Sequence, residues 1–275
     1  MRHDDWYPWT DAYLTRMRNL KRSAGTIRLH RHYLNHLAAR LDDPATATDA
    51  KLVELLGHPT WGPDAACSAR MVWRGFYKWA HGTGLMPMWV GEAIPPITKP
   101  HRLPRPSPDG VVDEAVESPD RRDALMAMLA AFCGLRAAEI AQVRPDRDLF
   151  GEDILMVHGK GKKERLVPIE HPALLAELQR LKRRGGWAFP STDPSRHLTP
   201  GYVSKLMSRA IPGEDTAHNF RHSYATNALE ESDDIVAVAA LLGHAQLSTT
   251  QIYTKVSVRK LRRAARGGSR QPAAA

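Results

Sequence analysis

Cysteine is scarce in this 275-residue chain: only Cys67 and Cys133 occur. They fall in different helical stretches with no C-x-x-C spacing, which argues against a disulfide framework or a zinc site. Cys133, inside the apolar run from Met126 to Leu135, reads as a buried reduced thiol. No apolar stretch is long enough to span a membrane. The opening Met-Arg-His-Asp-Asp-Trp has no apolar segment behind it, so it does not read as a signal peptide. A basic amphipathic helix with a large exposed apolar face is missing too, which counts against a membrane-surface protein. Together these absences predict a reduced, cytoplasmic, nucleoid-associated protein with no metal, cofactor or membrane partner.

Acidic residues are in the minority. The 39 Lys and Arg against 30 Asp and Glu leave a formal net charge of +9. Such a surplus favours an anionic partner, with nucleic acid ahead of an anionic membrane surface, and solubility alone as the plain alternative.

Residues 1–94 read as helical, and no strand pattern interrupts them. Ile27, His30, Leu34, Leu37 and Leu41 recur at helical spacing from Thr26 to Leu41, with Ser23 or Thr26 as the cap. From Met71 to Leu85, Val72, Gly75, Phe76 and Trp79 share one face, and Arg70, Arg74 and Lys78 another. Residues 95–108 hold dense prolines that favour extended backbone and mark a basic linker between two domains.

Residues 109–266 are mixed. Arg121 to Cys133 is an apolar helix. Ile154–Val157 and Arg165–Ile169 flank a Gly-Lys-Gly turn and predict a β-hairpin. Helices follow at 172–184, 200–210, 218–230, 234–242 and 258–266, and residues 267–275 read as a disordered tail. The fold class is mainly α with a small β-hairpin or sheet in the second domain.

Four segments of that domain place basic residues in unusual settings. In Gly134-Leu135-Arg136-Ala137-Ala138-Glu139 an apolar helix ends at a glycine and an arginine follows, which suits bidentate phosphate binding. Glu139 reads as the partner that orients Arg136; an ordinary surface pair is the alternative. In Gly159-Lys160-Gly161-Lys162-Lys163 the hairpin tip carries a lysine able to protonate a leaving oxygen, or else a solvated basic turn. In His218-Asn219-Phe220-Arg221-His222 the histidine and arginine three apart share a helix face, while Phe220 and Tyr224 face the core. In the fourth, Leu242-Gly243-His244 leads to Ser248-Thr249-Thr250-Gln251-Ile252-Tyr253. A tyrosine alone is far more often structural than nucleophilic. Set beside two arginines, a lysine and two histidines able to neutralise a pentacovalent phosphate, it becomes a candidate nucleophile.

In this order the four segments resemble the boxes of the tyrosine recombinase (phage integrase) family, which includes the Xer recombinases. The likeness extends to Ser23–Arg28 and Phe76–Ala80, which are similar to the family's helical core-binding domain. The resemblance implies that Arg136, Arg221 and His244 bind the scissile phosphate, that Lys160 protonates the 5′ oxygen, and that His218 gives acid–base assistance. Tyr253 would form a 3′-phosphotyrosyl bond. It further implies a two-domain C-shaped clamp on double-stranded DNA core sites, a homotetramer working through a Holliday junction, and an accessory directionality factor. Nothing precedes the core-binding domain here, so an arm-site-binding domain is not expected. Integration of phage or mobile-element DNA is the leading expectation and an Xer-type chromosome-dimer resolvase the runner-up. A type IB topoisomerase shares the chemistry, and a non-catalytic DNA-binding regulator is the rival of another class. The tail Gln271-Pro272-Ala273-Ala274-Ala275 resembles a bacterial degradation tag, with an inert tail as the plainer reading.

Overall fold

The computed structural model describes residues 5–98, 107–159, 161, 163–243 and 258–268. The expected linker is therefore described only at its ends, and the alanine tail lies outside the described residues. The chain forms two compact units, Met1–Arg102 and Leu103–Ala275.

The first unit holds α1 (Trp6–Asn19), α2 (Ala24–Ala38), a short 3-10 turn at Pro44–Thr46, α3 (Asp49–Leu56) and α4 (Pro63–Gly82). Side-chain caps set the starts: Ser23 accepts from Thr26 N, and Thr48 accepts from Lys51 N. α4 begins eight residues before the Met71 expected from the sequence. Pro63 occupies its first turn, and the residues buried there are the small Ala66 and Ala69, whose periodicity is faint. The core is aromatic, with Trp6, Trp73, Phe76 and Tyr77 almost fully buried. Buried indoles need an acceptor: Trp6 Nε1 donates to Leu41 O at 2.7 Å and Trp73 Nε1 to Tyr33 O at 2.9 Å.

Arg70 and Arg74 do not form a free basic face. Arg70 donates to the carbonyls of Ile94 and Pro95, and Arg74 to that of Ile94. They tie down the chain as it leaves the unit. Arg74 and Lys78 also lie over the Trp89 ring, at 5.4 and 4.8 Å from its centroid.

The second unit runs α5 (Asp109–Val116), α6 (Arg121–Cys133), α7 (Ala137–Ile140), α8 (Pro145–Asp148), β1 (Leu149–Phe150), β2 (Ile154–His158), β3 (Glu164–Pro168), α9 (Pro172–Arg184), α10 (Pro200–Ala210), α11 (Ala217–Ser232), α12 (Ile235–Leu242) and α13 (Val258–Gly268). α6 is apolar on nearly every side, so it occupies the centre, where α5, α9, α10, α11 and α13 pack on it. The strands pair antiparallel in the order β1-β2-β3, with Leu155 opposite Val167 and His158 opposite Glu164. Leu155, Val157 and Val167 face the core; Phe150 and Leu166 are exposed.

α13 lies against α11, α12 and β3. Leu261, Ala264 and Ala265 are buried, while Arg262 forks onto Asp153 at 2.5 and 2.9 Å and Arg266 reaches Glu170 at 3.1 Å. Among the described residues no helix is long and apolar enough to cross a membrane.

Candidate functional site

The site is built where α6 ends. Gly134 closes that helix at φ +62, a left-handed conformation that L side chains adopt poorly. A Cβ there would also stand 2.6 Å from Tyr224 Cδ1 and 2.9 Å from Leu242 Cδ2. The tight turn frees two things for use: the carbonyl of Gly134, and Arg136, which heads the short α7.

Glu139 on α7 organises the surroundings. It is buried, and its carboxylate accepts from Arg136 N at 2.9 Å, Arg136 Nη1 at 3.1 Å, and Arg165 Nη1 and Nη2 at 2.9 Å each. Arg221 Nη1 is 3.8 Å away. Burial pushes the Glu139 carboxyl up, but the hydrogen bonds and charge of Arg165, the Arg136 amide and the charge of Arg221 hold its pKa below the ordinary carboxylate range. Three guanidiniums thus share one carboxylate, and the cluster keeps a surplus of two positive charges (three minus one). Such a surplus in a partly desolvated setting is an anion site.

The arginines are held differently. Arg136 stands at the edge with 44% of its side chain exposed. Arg221, from α11, is buried, with its guanidinium donating to Gly134 O and to Leu242 O, the latter at 2.6 Å. Arg136 Nη1 also reaches Leu242 O, at 3.5 Å. Burial, with the charge of Arg136 second, pushes the Arg221 pKa down to about 9, which leaves it cationic at neutral pH. Arg221 and His218 therefore differ in depth: Arg221 is buried with its guanidinium against two carbonyls, while His218 lies nearer the surface and is only partly covered.

His218 and His222 stack edge to face with ring centroids 4.4 Å apart. Burial, then the charges of His222, Arg221 and Arg136, lower the His218 pKa from the ordinary 6.5, so at neutral pH the ring is a base. Tyr224 and Phe220 are buried, as their spacing predicts. Cys133 is fully buried and its thiol is pushed up to about 12, an inert side chain.

Arg165 is the residue that sequence reasoning passed over. It sits in β3, on the same strand face as the buried Val167, and besides gripping Glu139 it donates from Nε to Leu241 O at 2.6 Å. Gly243, at φ +63, packs against it; a Cβ there would stand 3.1 Å from Arg165 Nη1. A basic residue two positions from a core valine, in a strand of period two, is the signal that could have found it.

Lys160, His244 and Tyr253, three of the six expected site residues, lie outside the described residues, as does Lys162. Of the six, the structure brings together Arg136, His218 and Arg221. Among the described residues, no group of three or more His, Cys, Asp or Glu is placed to hold a metal ion.

The phage integrase family model matches residues 111–260. The chain belongs to the phage integrase family. XerC, a tyrosine recombinase of Neisseria meningitidis serogroup B, is 31% identical over 272 residues, covering 90% of each chain. The integrase from mycobacterium phage Brujita superposes with a TM-score of 0.52 at 25% identity, covering 99% of this chain and 96% of its own. The lambda integrase tetramer bound to a Holliday junction gives a TM-score of 0.70 at 20% identity, over 90% and 80% of the two chains, and speaks for the fold alone. Membership makes this protein an enzyme, a site-specific DNA recombinase.

Proposed function

We propose that this recombinase cuts double-stranded core sites through Tyr253 and integrates phage or mobile-element DNA. The observation that carries the reading is the surplus of positive charge around Glu139, with Arg136 at its open edge and Arg221 behind. In the proposed step, Arg136, Arg221 and His244 hold the scissile phosphate. The Tyr253 phenol oxygen bonds to phosphorus and its proton passes to the neutral His218 ring. The bond from phosphorus to the 5′ oxygen breaks, and that oxygen takes a proton from the Lys160 ammonium. One phosphodiester replaces another, so no energy source is consumed. In rejoining, a 5′ hydroxyl attacks the phosphotyrosine, returning its proton to Lys160 while His218 reprotonates the phenolate. Four protomers on two core sites, with an accessory factor that sets direction, complete the proposed assembly.

A second reading, an Xer-type chromosome-dimer resolvase, is favoured by the 31% identity to XerC over 90% of both chains. One experiment serves both. Covalent protein–DNA adducts are trapped with denaturant in expressing cells and the attached DNA is sequenced, with Tyr253→Phe as control. Adducts that vanish in the control support Tyr253, and their position separates an attachment site from a chromosome resolution site. Adducts that persist in the control overturn the assignment of Tyr253.

A further inference from the structure

His158 ends β2, immediately before Gly159-Lys160, and the roles proposed above leave it unused. Its ring spans two carboxylates on different elements. Nε2 lies 3.1 Å from Asp148 Oδ1, at the end of α8, and Nδ1 lies 3.2 Å from Glu164 Oε1, its cross-strand partner in β3. Asp148 is itself fixed: it is buried, and its Oδ2 accepts from Arg144 N at 3.1 Å. The alternation of β2 puts His158 on the half-exposed sheet face of Ile154 and Met156, opposite the buried Leu155 and Val157. A polar ring is ordinary on that face; what sets His158 apart is its span, with one ring against carboxylates on two different elements.

The end of the hairpin lies close to the arginine cluster. Gly159 N donates to Lys163 O at 2.7 Å, and a Cβ on Gly159 would stand 3.8 Å from Glu139 Oε1. Backbone bonds alone let a two-strand end tilt; a side-chain bridge from its last pair to α8 resists that tilt.

We propose that His158 is a positioning residue for strand cleavage: by joining Asp148 to Glu164 it fixes the hairpin end that leads into Lys160, and so the proton transfer to the 5′ oxygen. The proposal rests on the reading of Lys160 as proton donor. A proton donor must reach its acceptor within hydrogen-bond distance, and a misplacement of about 1 Å costs on the order of a hundredfold.

The test uses the full chain and a duplex carrying its core site, with either oxygen or sulfur as the 5′ bridging atom at the scissile phosphate. A thiolate leaves without a proton, so the sulfur duplex bypasses proton donation. His158→Ala is expected to cleave the oxygen duplex at least about tenfold more slowly than wild type, with DNA affinity within about twofold. On the sulfur duplex it is expected to match wild type within about threefold. Equal cleavage of the oxygen duplex by variant and wild type overturns the proposal, as does a defect that sulfur leaves in place, which marks a merely structural role. Should His158→Ala fail to fold, Glu164→Gln, at an exposed side chain, is judged by the same criteria. Lys160→Ala separates the two claims. If sulfur rescues Lys160→Ala but not His158→Ala, the positioning role fails alone. If Lys160→Ala cleaves both duplexes like wild type, the lysine reading fails and carries this proposal with it.

Discussion

Arg165 grips Glu139 with both ends of its guanidinium, Nη1 on Oε1 and Nη2 on Oε2, each at 2.9 Å. Removing Arg165 takes two charge-assisted hydrogen bonds from a buried carboxylate that still keeps Arg136 and Arg221, a loss of about 1.5–3 kcal/mol. Arg165→Ala is expected to lose stability of that order in urea unfolding. Arg165→Lys is expected to recover only part of it, because an ammonium cannot reproduce the planar fork. Full recovery by lysine would show that charge alone, and not geometry, matters at this position.

The lowered His218 pKa has a definite sign. The folded state favours the neutral ring, so proton acceptance is available at pH 7 and is lost as pH falls through a value below the ordinary 6.5. Single-turnover cleavage is expected to show an acid limb there, and His218→Gln to remove the limb with a loss of about 10²- to 10⁴-fold. His222→Ala takes away a neighbouring positive charge and part of the covering, so the limb is expected to move to higher pH. A limb that moves down, or not at all, contradicts the electrostatic account.

Two glycines give a matched contrast. Gly134→Ala meets both a left-handed backbone and the Tyr224 ring, and is expected to destabilise by about 1–3 kcal/mol. Gly110→Ala in α5 has nothing within 4 Å and is expected to stabilise by roughly 0.5–1 kcal/mol. Thermal melts of the two variants decide it; equal shifts would remove the special status of the α6 end.

Arg136 is exposed where Arg221 is not, so the two arginines are expected to fail differently. Arg136→Ala is expected to fold normally, cleave at least about a hundredfold more slowly, and reduce the salt slope of DNA binding by about 1. Arg221→Ala removes the donors to Gly134 O and Leu242 O and is expected to cost stability as well as cleavage. Measured salt slopes and unfolding midpoints for both variants check the distinction.

Local chemistry made much of this legible in the sequence. α6, α9 and α10 begin and end where expected, because Asp120, His171 and Thr199 cap them and a glycine or the end of the apolar period closes them. Two elements were not expected: the two-residue β1, too short to show a period, and α5, where only Val112 and Ala115 are buried. Arg136 and Arg221 announce themselves through their segments, yet the depth of Arg221 was hidden. Spacing puts it on a face with His218 but does not say that this face turns towards two backbone carbonyls. Arg165 and His158 pair with residues on other elements, Glu139 and Asp148; strand alternation marks Arg165 as inward-facing but does not name the partner.

The docking of α13 sets a leash. Tyr253 stands eleven residues after Leu242, the end of α12, and five before Val258, where α13 begins. A chain advances at most about 3.6 Å per residue, so the Tyr253 Cα can stray no more than roughly 18 Å from that of Val258. While the Arg262–Asp153 and Arg266–Glu170 pairs hold α13 down, the working radius of the proposed nucleophile is a matter of chain length. Each residue added between Tyr253 and Val258 would widen that radius by up to about 3.6 Å.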